Sequence, residues 1–315
     1  MEEDSCWKME TMEDGADGSL ERWKINSSVV ARRWGDTLTT RRCGGRCSLW
    51  TTALSLWPRR FGVFPFTYFV IVGSCDGIVC LYDYGDNSII LWNPSIRRTV
   101  ILPDCPRRCY SEVEVAFGYD PIADDYKVVS LPIVNVNRDG GSYVYAMKTD
   151  ACFLIDSPMP DFRKVKTKAC FVSGALHWLA QRYKKSNWYI LTFDLSTHVF
   201  SSVVSPHITR TVVPISLRGC LAIIINESSI WVRRDDSWSV EIKLEKNNDV
   251  GDLKGVLQLG TSCDLIFDLY SIGYEMYNPN TGACLSLVDF DDAYFLLDVV
   301  PCVESLQLLD IGTSC

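Results

Sequence analysis

Histidine is scarce in this 315-residue chain: there are only His177, His198 and His207, spread too widely for the paired spacings that hold zinc. No apolar run is long enough to cross a bilayer as a helix. The longest, residues 61–72, is broken by Pro65 and falls short of the roughly 20 residues a span requires. The opening stretch MEEDSCWKMETMEDGAD lacks the basic-then-apolar order of a secretory signal. A P-loop, a dinucleotide fingerprint and a triad-type elbow are also missing. These absences argue against a membrane protein, a nucleotide-dependent enzyme and a secreted disulfide scaffold. The expectation is therefore an intracellular protein, cytoplasmic or nuclear, with its 14 cysteines reduced and with no cofactor or metal.

Charge is short of one sign. The net charge is −8, and its distribution is uneven. Residues 1–20 carry seven acids against Lys8, whereas residues 21–60 carry nine Lys or Arg against Glu21 and Asp36. The remaining 255 residues sum to about −9. An acidic body does not present the clustered basic surface that phosphate backbones need, so nucleic acid is not an expected partner.

Helical periodicity is rare as well. Residues 1–60 show neither a 3.6 nor a 2.0 period, and they contain arginine pairs at 32/33, 41/42 and 59/60 and the Gly-Gly of CGGRC; a poorly ordered N-terminal segment is expected there. The most helix-like stretch, 303–309, suits a last strand equally well.

From Phe61 to the end the chain is rich in short runs of β-branched and aromatic residues, each ended by Asn, Asp, Gly or Pro. FTYFVIV, GIVCLYDY, SIILWNP, YKVVSLPI, WYILTFDL and CLAIIIN are examples. The runs repeat as units. SCDGIVCLYDYGDNSIILWNPSIRRTVILP (74–103) and SGALHWLAQRYKKSNWYILTFDLSTHVFSSVVSP (173–206) share one order of strand, polar loop, strand, turn and strand, with Gly77 and Gly174 lying 97 residues apart. Shorter echoes lie at 117–131, 143–155, 229–244 and 274–288. A hairpin of this size cannot hide its apolar side alone, so such units stack. Residues 61–315 divide into five or six blades of about 45 residues, the all-β architecture of a propeller built from stacked antiparallel sheets.

The ordered motifs SCDGIVCL, LWNPSIRRTVILP, FGYDPIADDYKVV, VSGALHWLA, ILTFDLSTHVF and SIWVRRDDSW resemble the F-box-associated interaction domain of plant F-box proteins. That resemblance implies a kelch-like β-propeller that captures a target protein for a cullin-based ubiquitin ligase and does no chemistry itself. In the family an F-box precedes the propeller and docks on the ligase adaptor through a Leu-Pro opening and apolar helices. Residues 1–60 show no such opening, only VVARRW at 29–34. The adaptor is thus a partner only if an F-box is present. The alternatives are a propeller that binds targets without ubiquitination, or a hydrolase built on Cys75.

Gly73-Ser74-Cys75-Asp76-Gly77 has the spacing of a nucleophile elbow, but a strand follows it where an elbow needs a helix. The reading is a blade turn eased by glycine. His177, inside GALHWL, is read as a core or edge histidine. The C-x₃-C pairs Cys43/Cys47 and Cys105/Cys109 have no matching second pair for zinc. Asp289, Asp291 and Asp292 lack the Gly and Glu of a calcium loop, and Asp120, Asp124 and Asp125 are read as turn formers. Trp92, Trp178, Trp231 and Trp238 are expected to pack between blades. Recognition is assigned to loops that differ among units, at 103–112, 134–141, 180–188 and 245–252. Within them Arg107, Arg108, Tyr110, Arg182, Tyr183 and Trp188 are the interface-type residues.

Overall fold

The computed structural model describes residues 28–33, 37–42, 265–269, 273–277, 284–286, 296–302, 305–308 and most of 69–258. Within 69–258 the stretches 106–112, 135–140, 159–161, 183–186, 205–207, 210–211, 226–228 and 244–252, with residue 167, are not among them. The described residues form strands and turns, with no helix.

Two early strands, β1 (Ser28–Arg33) and β2 (Thr37–Arg42), are followed by five consecutive sheets. The first holds β3 (Phe69–Cys75), β4 (Ile78–Asp83), β5 (Ile89–Asn93) and β6 (Arg98–Ile101). The second holds β7 (Val113–Asp120), β8 (Asp125–Pro132), β9 (Tyr143–Ala146) and β10 (Ala151–Leu154). In the third, β11 (Lys164–Val165) and β12 (Cys170–Val172) lie along one edge of β13 (Ala175–Gln181), which continues to β14 (Trp188–Asp194) and β15 (Phe200–Val203). The fourth holds β16 (Val213–Leu217), β17 (Cys220–Ile225), β18 (Ser229–Arg234) and β19 (Ser237–Lys243). The fifth holds β20 (Leu253–Gln258), β21 (Leu265–Leu269), β22 (Gly273–Tyr277) and β23 (Cys284–Ser286). A sixth sheet joins β24 (Leu296–Cys302) to β1 and then β2. All pairings are antiparallel.

The inner strands of successive sheets neighbour one another around a ring: β3 with β7, β7 with β13 of the third sheet, β12 with β16, β16 with β20, β20 with β24, and β24 with β3. This is a propeller of six blades among the described residues. Each blade is sandwiched between two others, so both sides of its central strands are buried. Val128 joins the core between the first and second blades, and the next residue, Val129, joins the core between the second and third. Trp178 and Leu179, and Leu191 and Ile190, divide the same way between the cores on either side of the third blade. Period-2 side chains with two buried sides produce unbroken apolar runs such as IVCLYD, all six residues of which are buried.

In three blades the turn between the first and second strands is a two-residue hairpin. Asp76 (φ 48°) with Gly77 (φ 80°), Ser173 (47°) with Gly174 (77°), and Arg218 (50°) with Gly219 (71°) take the paired left-handed conformation that matches strand twist. Third-to-fourth turns use side-chain oxygens. Asn93 Oδ1 accepts from Ser95 N at 2.8 Å, and Asp194 Oδ1 accepts from Ser196 N at 2.9 Å and Thr197 N at 2.7 Å. Asp120 does likewise in the β7–β8 turn, accepting from Ile122 N and Ala123 N at 2.9 and 3.2 Å.

Two features add to the sequence reading. Most of the segment before Phe61 was expected to be poorly ordered; within it Ser28–Arg33 and Thr37–Arg42 complete the sixth blade by pairing Ser28–Arg33 with Leu296–Cys302. SVVARR has strand character that its arginines obscure, and its partner lies at the other end of the chain. Secondly, Cys105 and Cys152 are joined in a disulfide across 47 residues, with Cα atoms 5.6 Å apart. The expectation of uniformly reduced thiols fails at this pair, because Cys105, shortly after β6, lies against Cys152 of β10.

Candidate protein-binding face

Strand direction sorts every connection to one of two ends of the ring. First strands run toward the end that carries the hairpins at Asp76-Gly77, Ser173-Gly174 and Arg218-Gly219, and the third-to-fourth turns lie at that end too. We call it the turn face. Second strands therefore finish at the opposite end, where the second-to-third connections and the blade-to-blade connections must lie. All four loops singled out from sequence join strand ends at this loop face: 103–112 follows β6, 134–141 follows β8, 180–188 joins β13 to β14, and 245–252 follows β19.

Exposed apolar side chains occur at both ends: Ile122, Val199 and Leu306 at the turn face, and a larger share at the loop face. Tyr84 is 56% exposed, Ile101 60%, Leu154 50% and Val204 63%, each at or just beyond a strand end on the loop face, as is Val134. Solvated apolar groups at the strand ends of a rigid scaffold suit contact with another protein. Asp83 stiffens the turn that carries Tyr84: the buried carboxylate accepts from Gly85 N at 2.7 Å, and Tyr82 Oη donates to Asn87 Oδ1 at 2.6 Å.

Of the six interface-type residues, Arg182 and Trp188 are described, while Arg107, Arg108, Tyr110 and Tyr183 lie outside the described residues. Arg182 leaves β13 with its guanidinium 5.1 Å from the centre of the Tyr189 ring. Trp188 is half-buried against the core between the third and fourth blades, and Lys164 Nζ stands 6.0 Å from its ring centre. Lys164 pairs with Gln181 and Gln181 with Trp188, so the three form one row across β11, β13 and β14. Each cation covers an aromatic ring, a favourable contact that fixes the long side chains in place.

The turn face is held differently. Lys127, buried on β8, donates to Asp120 Oδ2 at 2.7 Å and to the Leu195 carbonyl at 2.7 Å, and its Nζ lies 2.9 Å from His198 Nε2. Ser196 Oγ also donates to Asp120. Burial alone would raise the Asp120 carboxyl, but the bonds from Lys127, Ser196 and two backbone amides outweigh it and hold the group far below the usual carboxylate range. Burial and the Lys127 charge push His198 down, consistent with a neutral imidazole accepting from the ammonium. The cluster locks the second blade to the third. Asp120, Asp124 and Asp125 are thereby placed in a turn and its salt links: Asp124 pairs with Lys148 at 2.9 Å, and Asp125 accepts from Lys148 N at 2.9 Å.

Cys75 is the last residue of β3 and pairs with Ile78 across the hairpin, so strand meets strand where an elbow would need strand meeting helix. Burial pushes its thiol far up, and the adjacent Asp76 carboxylate adds to the effect. A thiol held protonated is a poor nucleophile. His177 sits in the row it shares with Thr192, its Nδ1 3.0 Å from Oγ1, and burial pushes it down to about 4. Trp178 and Trp92 are buried, and Trp231 and Trp238 pack against the core between the third and fourth blades. Cys105 is tied to Cys152 and is not half of a metal site with Cys109, which lies outside the described residues along with Cys43, Cys47, His207, Asp289, Asp291 and Asp292.

A family described as the F-box associated beta propeller domain matches residues 63–262, more than half of the chain. The chain belongs to this F-box-associated propeller family. Among curated proteins it is similar to an F-box/kelch-repeat protein of Arabidopsis thaliana, 27% identical over 233 residues that cover 68% of this chain and 62% of that one. It is also similar to a putative F-box protein of the same plant, 29% identical over 227 residues that cover 62% and 54%. The chain thus spans about three fifths or less of the length of these relatives. A chain in the crystal structure of a nidogen/laminin complex superposes with a TM-score of 0.54 at 11% identity, covering 89% of this chain and 99% of that one. That likeness concerns the fold alone.

Sequence reasoning found the candidate loops but not their common face, which follows from strand direction. It also missed Lys164 and the apolar group at Tyr84, Ile101, Leu154 and Val204. Lys164 becomes a neighbour of Trp188 only through the β11–β13–β14 register.

Proposed function

We propose that this F-box-associated propeller is the target-recognition part of a cullin-based ubiquitin ligase, acting inside the cell and gripping its target protein with the loop face. The observation that carries the reading is that the strand ends leading into all four variable loops lie at one end of the ring, together with exposed Tyr84, Ile101, Leu154 and Val204, in a chain whose relatives are named F-box proteins. The propeller holds and orients while transfer chemistry belongs to other subunits. The protonated Cys75 thiol in its hairpin supports that division. The adaptor is a partner where an F-box accompanies the propeller.

The test joins an F-box ahead of Ser28, so that β1 and β2 are kept, and follows both adaptor retention and ubiquitination of captured protein. Tyr84→Arg with Leu154→Arg on the loop face should abolish capture, whereas Ile122→Arg, an 82% exposed residue on the turn face, should not. Loss with Ile122→Arg alone would place the site on the wrong end. Capture without ubiquitination in the adaptor-bound fusion would remove the ligase role.

A further inference from the structure

One stretch of the third blade is basic within an acidic chain. Residues 162–193 contain seven Lys or Arg and no Asp or Glu, although the whole chain has a net charge of −8. The third blade's hairpin at Ser173-Gly174 is on the turn face, so the cations before it, at 163–166, and Arg182 after it fall at the loop-face end. Lys184 and Lys185 lie outside the described residues and form no part of the assigned surface.

Arg163, Lys164 and Lys166 are exposed on and beside β11, while Val165 between them is buried. Their backbone is anchored: Arg163 N donates to the Gln181 carbonyl at 2.7 Å, Val165 N to the Ile133 carbonyl at 2.9 Å and Lys166 N to the Leu179 carbonyl at 2.9 Å. Arg182 stands over Tyr189 across the same rim. Apolar surface adjoins the cations, since exposed Val134 bridges directly to Lys164 and exposed Val204 follows Val203, which packs with Trp188 in one core.

We propose that this rim of the third blade, Arg163, Lys164, Lys166 and Arg182 around Trp188, is a subsite for an acidic segment of the target protein that also carries apolar side chains. The assignment rests on the loop face being the binding end, and it adds the chemistry of what is bound there. Lys164 and Arg182, each with its cation over an aromatic ring, are already held in place and lose little freedom when they meet carboxylates. A polyphosphate chain is the poorer fit. It would have to extend from the rim over the acidic remainder of the ring, and it brings nothing to cover Val134 and Val204. A short acidic and apolar segment meets only the rim, and steering by opposite charge speeds its arrival.

The experiment pans a random 15-residue peptide display library on the full chain and measures affinities of the enriched peptides at two salt concentrations. Enriched peptides should be rich in Asp and Glu with interspersed apolar residues. They should bind at least tenfold more weakly to K164E/K166E/R182E and to the milder K164Q/K166Q/R182Q, and should bind unchanged to K148E on the turn face. Enrichment of neutral or basic peptides, or equal binding by both triple variants when each melts like the parent, overturns the acidic assignment. If such neutral peptides are nevertheless displaced by Tyr84→Arg with Leu154→Arg, the loop-face reading survives without it; if nothing is enriched, both readings fall. A random-sequence 15-nucleotide single-stranded RNA is run beside the peptides, and tighter binding of that RNA overturns the proposal in favour of nucleic acid.

Discussion

Replacing Lys127 with methionine should cost the folded protein about 3–5 kcal/mol, because it removes one partner of a buried charge pair and leaves the other in place. The side chains of Lys127 and Asp120 are 6% and 1% exposed, so water cannot substitute for the lost ammonium. Asp120 would keep its bonds from Ser196, Ile122 and Ala123, which favours the lower end of the range. The Leu195 carbonyl and His198 Nε2 each lose a donor as well, which pushes the other way. For a domain of this size that loss corresponds to a fall in melting temperature of about 10 °C. Urea unfolding followed by tryptophan fluorescence measures it. The double variant D120N/K127M, with no buried charge left, should recover much of the loss, so the two single costs should exceed the double by more than about 1 kcal/mol. The pH dependence has a definite sign. Asp120 is depressed in the folded state, so its contribution is full above the unfolded value near ~4 and is lost as pH falls through the folded one. K127M should flatten that acid limb. A cost below about 1 kcal/mol, or strictly additive variants, would refute the claim that this cluster locks the second blade to the third.

His177 is pushed down to about 4 by burial, with the Arg233 charge assisting, so its neutral form is favoured in the folded state. Stability that is complete above about pH 6.5 should therefore fall by up to about 3 kcal/mol toward pH 4. H177L should show a shallower decline in urea midpoint over that window, and an unchanged slope would count against it. Deleting residues 1–42 removes β1 and β2 and bares the edge of β24; self-association on gel filtration and a lower melting temperature are expected, and an equally stable monomer would show that β1 and β2 contribute nothing. Cys75 should react with iodoacetamide at pH 8 far more slowly than free cysteine, given a thiol raised by burial and Asp76, and fast stoichiometric labelling abolished by C75A would contradict this.

How much of this was legible beforehand depended on the distance between partners. Units such as 74–103 could be read because each blade's strands lie next to one another in sequence and both sides of the central strands are buried, which leaves runs like IVCLYD and WYILTFD. The family motifs spanned the same units. The part played by Ser28–Arg33 and Thr37–Arg42 in the sixth blade escaped notice because Ser28 pairs with Cys302, and no local pattern announces so remote a partner. The Cys105–Cys152 bond was hidden for the same reason. At the candidate site Arg182 and Trp188 were found by residue type, but the charge of the third blade was diluted by averaging over the whole chain. Only the register of β11 on β13 brings Lys164 into the row that holds Trp188.

Closing the ring with strands from both ends of the chain sets a timetable for synthesis. Cys302 follows its pairing partner Ser28 by 274 residues, and at translation rates of about 5–20 residues per second β1 waits roughly 15–55 seconds for β24 to be made. The five intervening blades have time to collapse first, whereas the sixth can assemble only after β24 has been made. A message truncated before Leu296 would yield a ring with a gap and two orphaned strands bearing unpaired backbone, a state open to chaperones and proteases. Ring closure in this propeller thus waits on synthesis as far as Cys302.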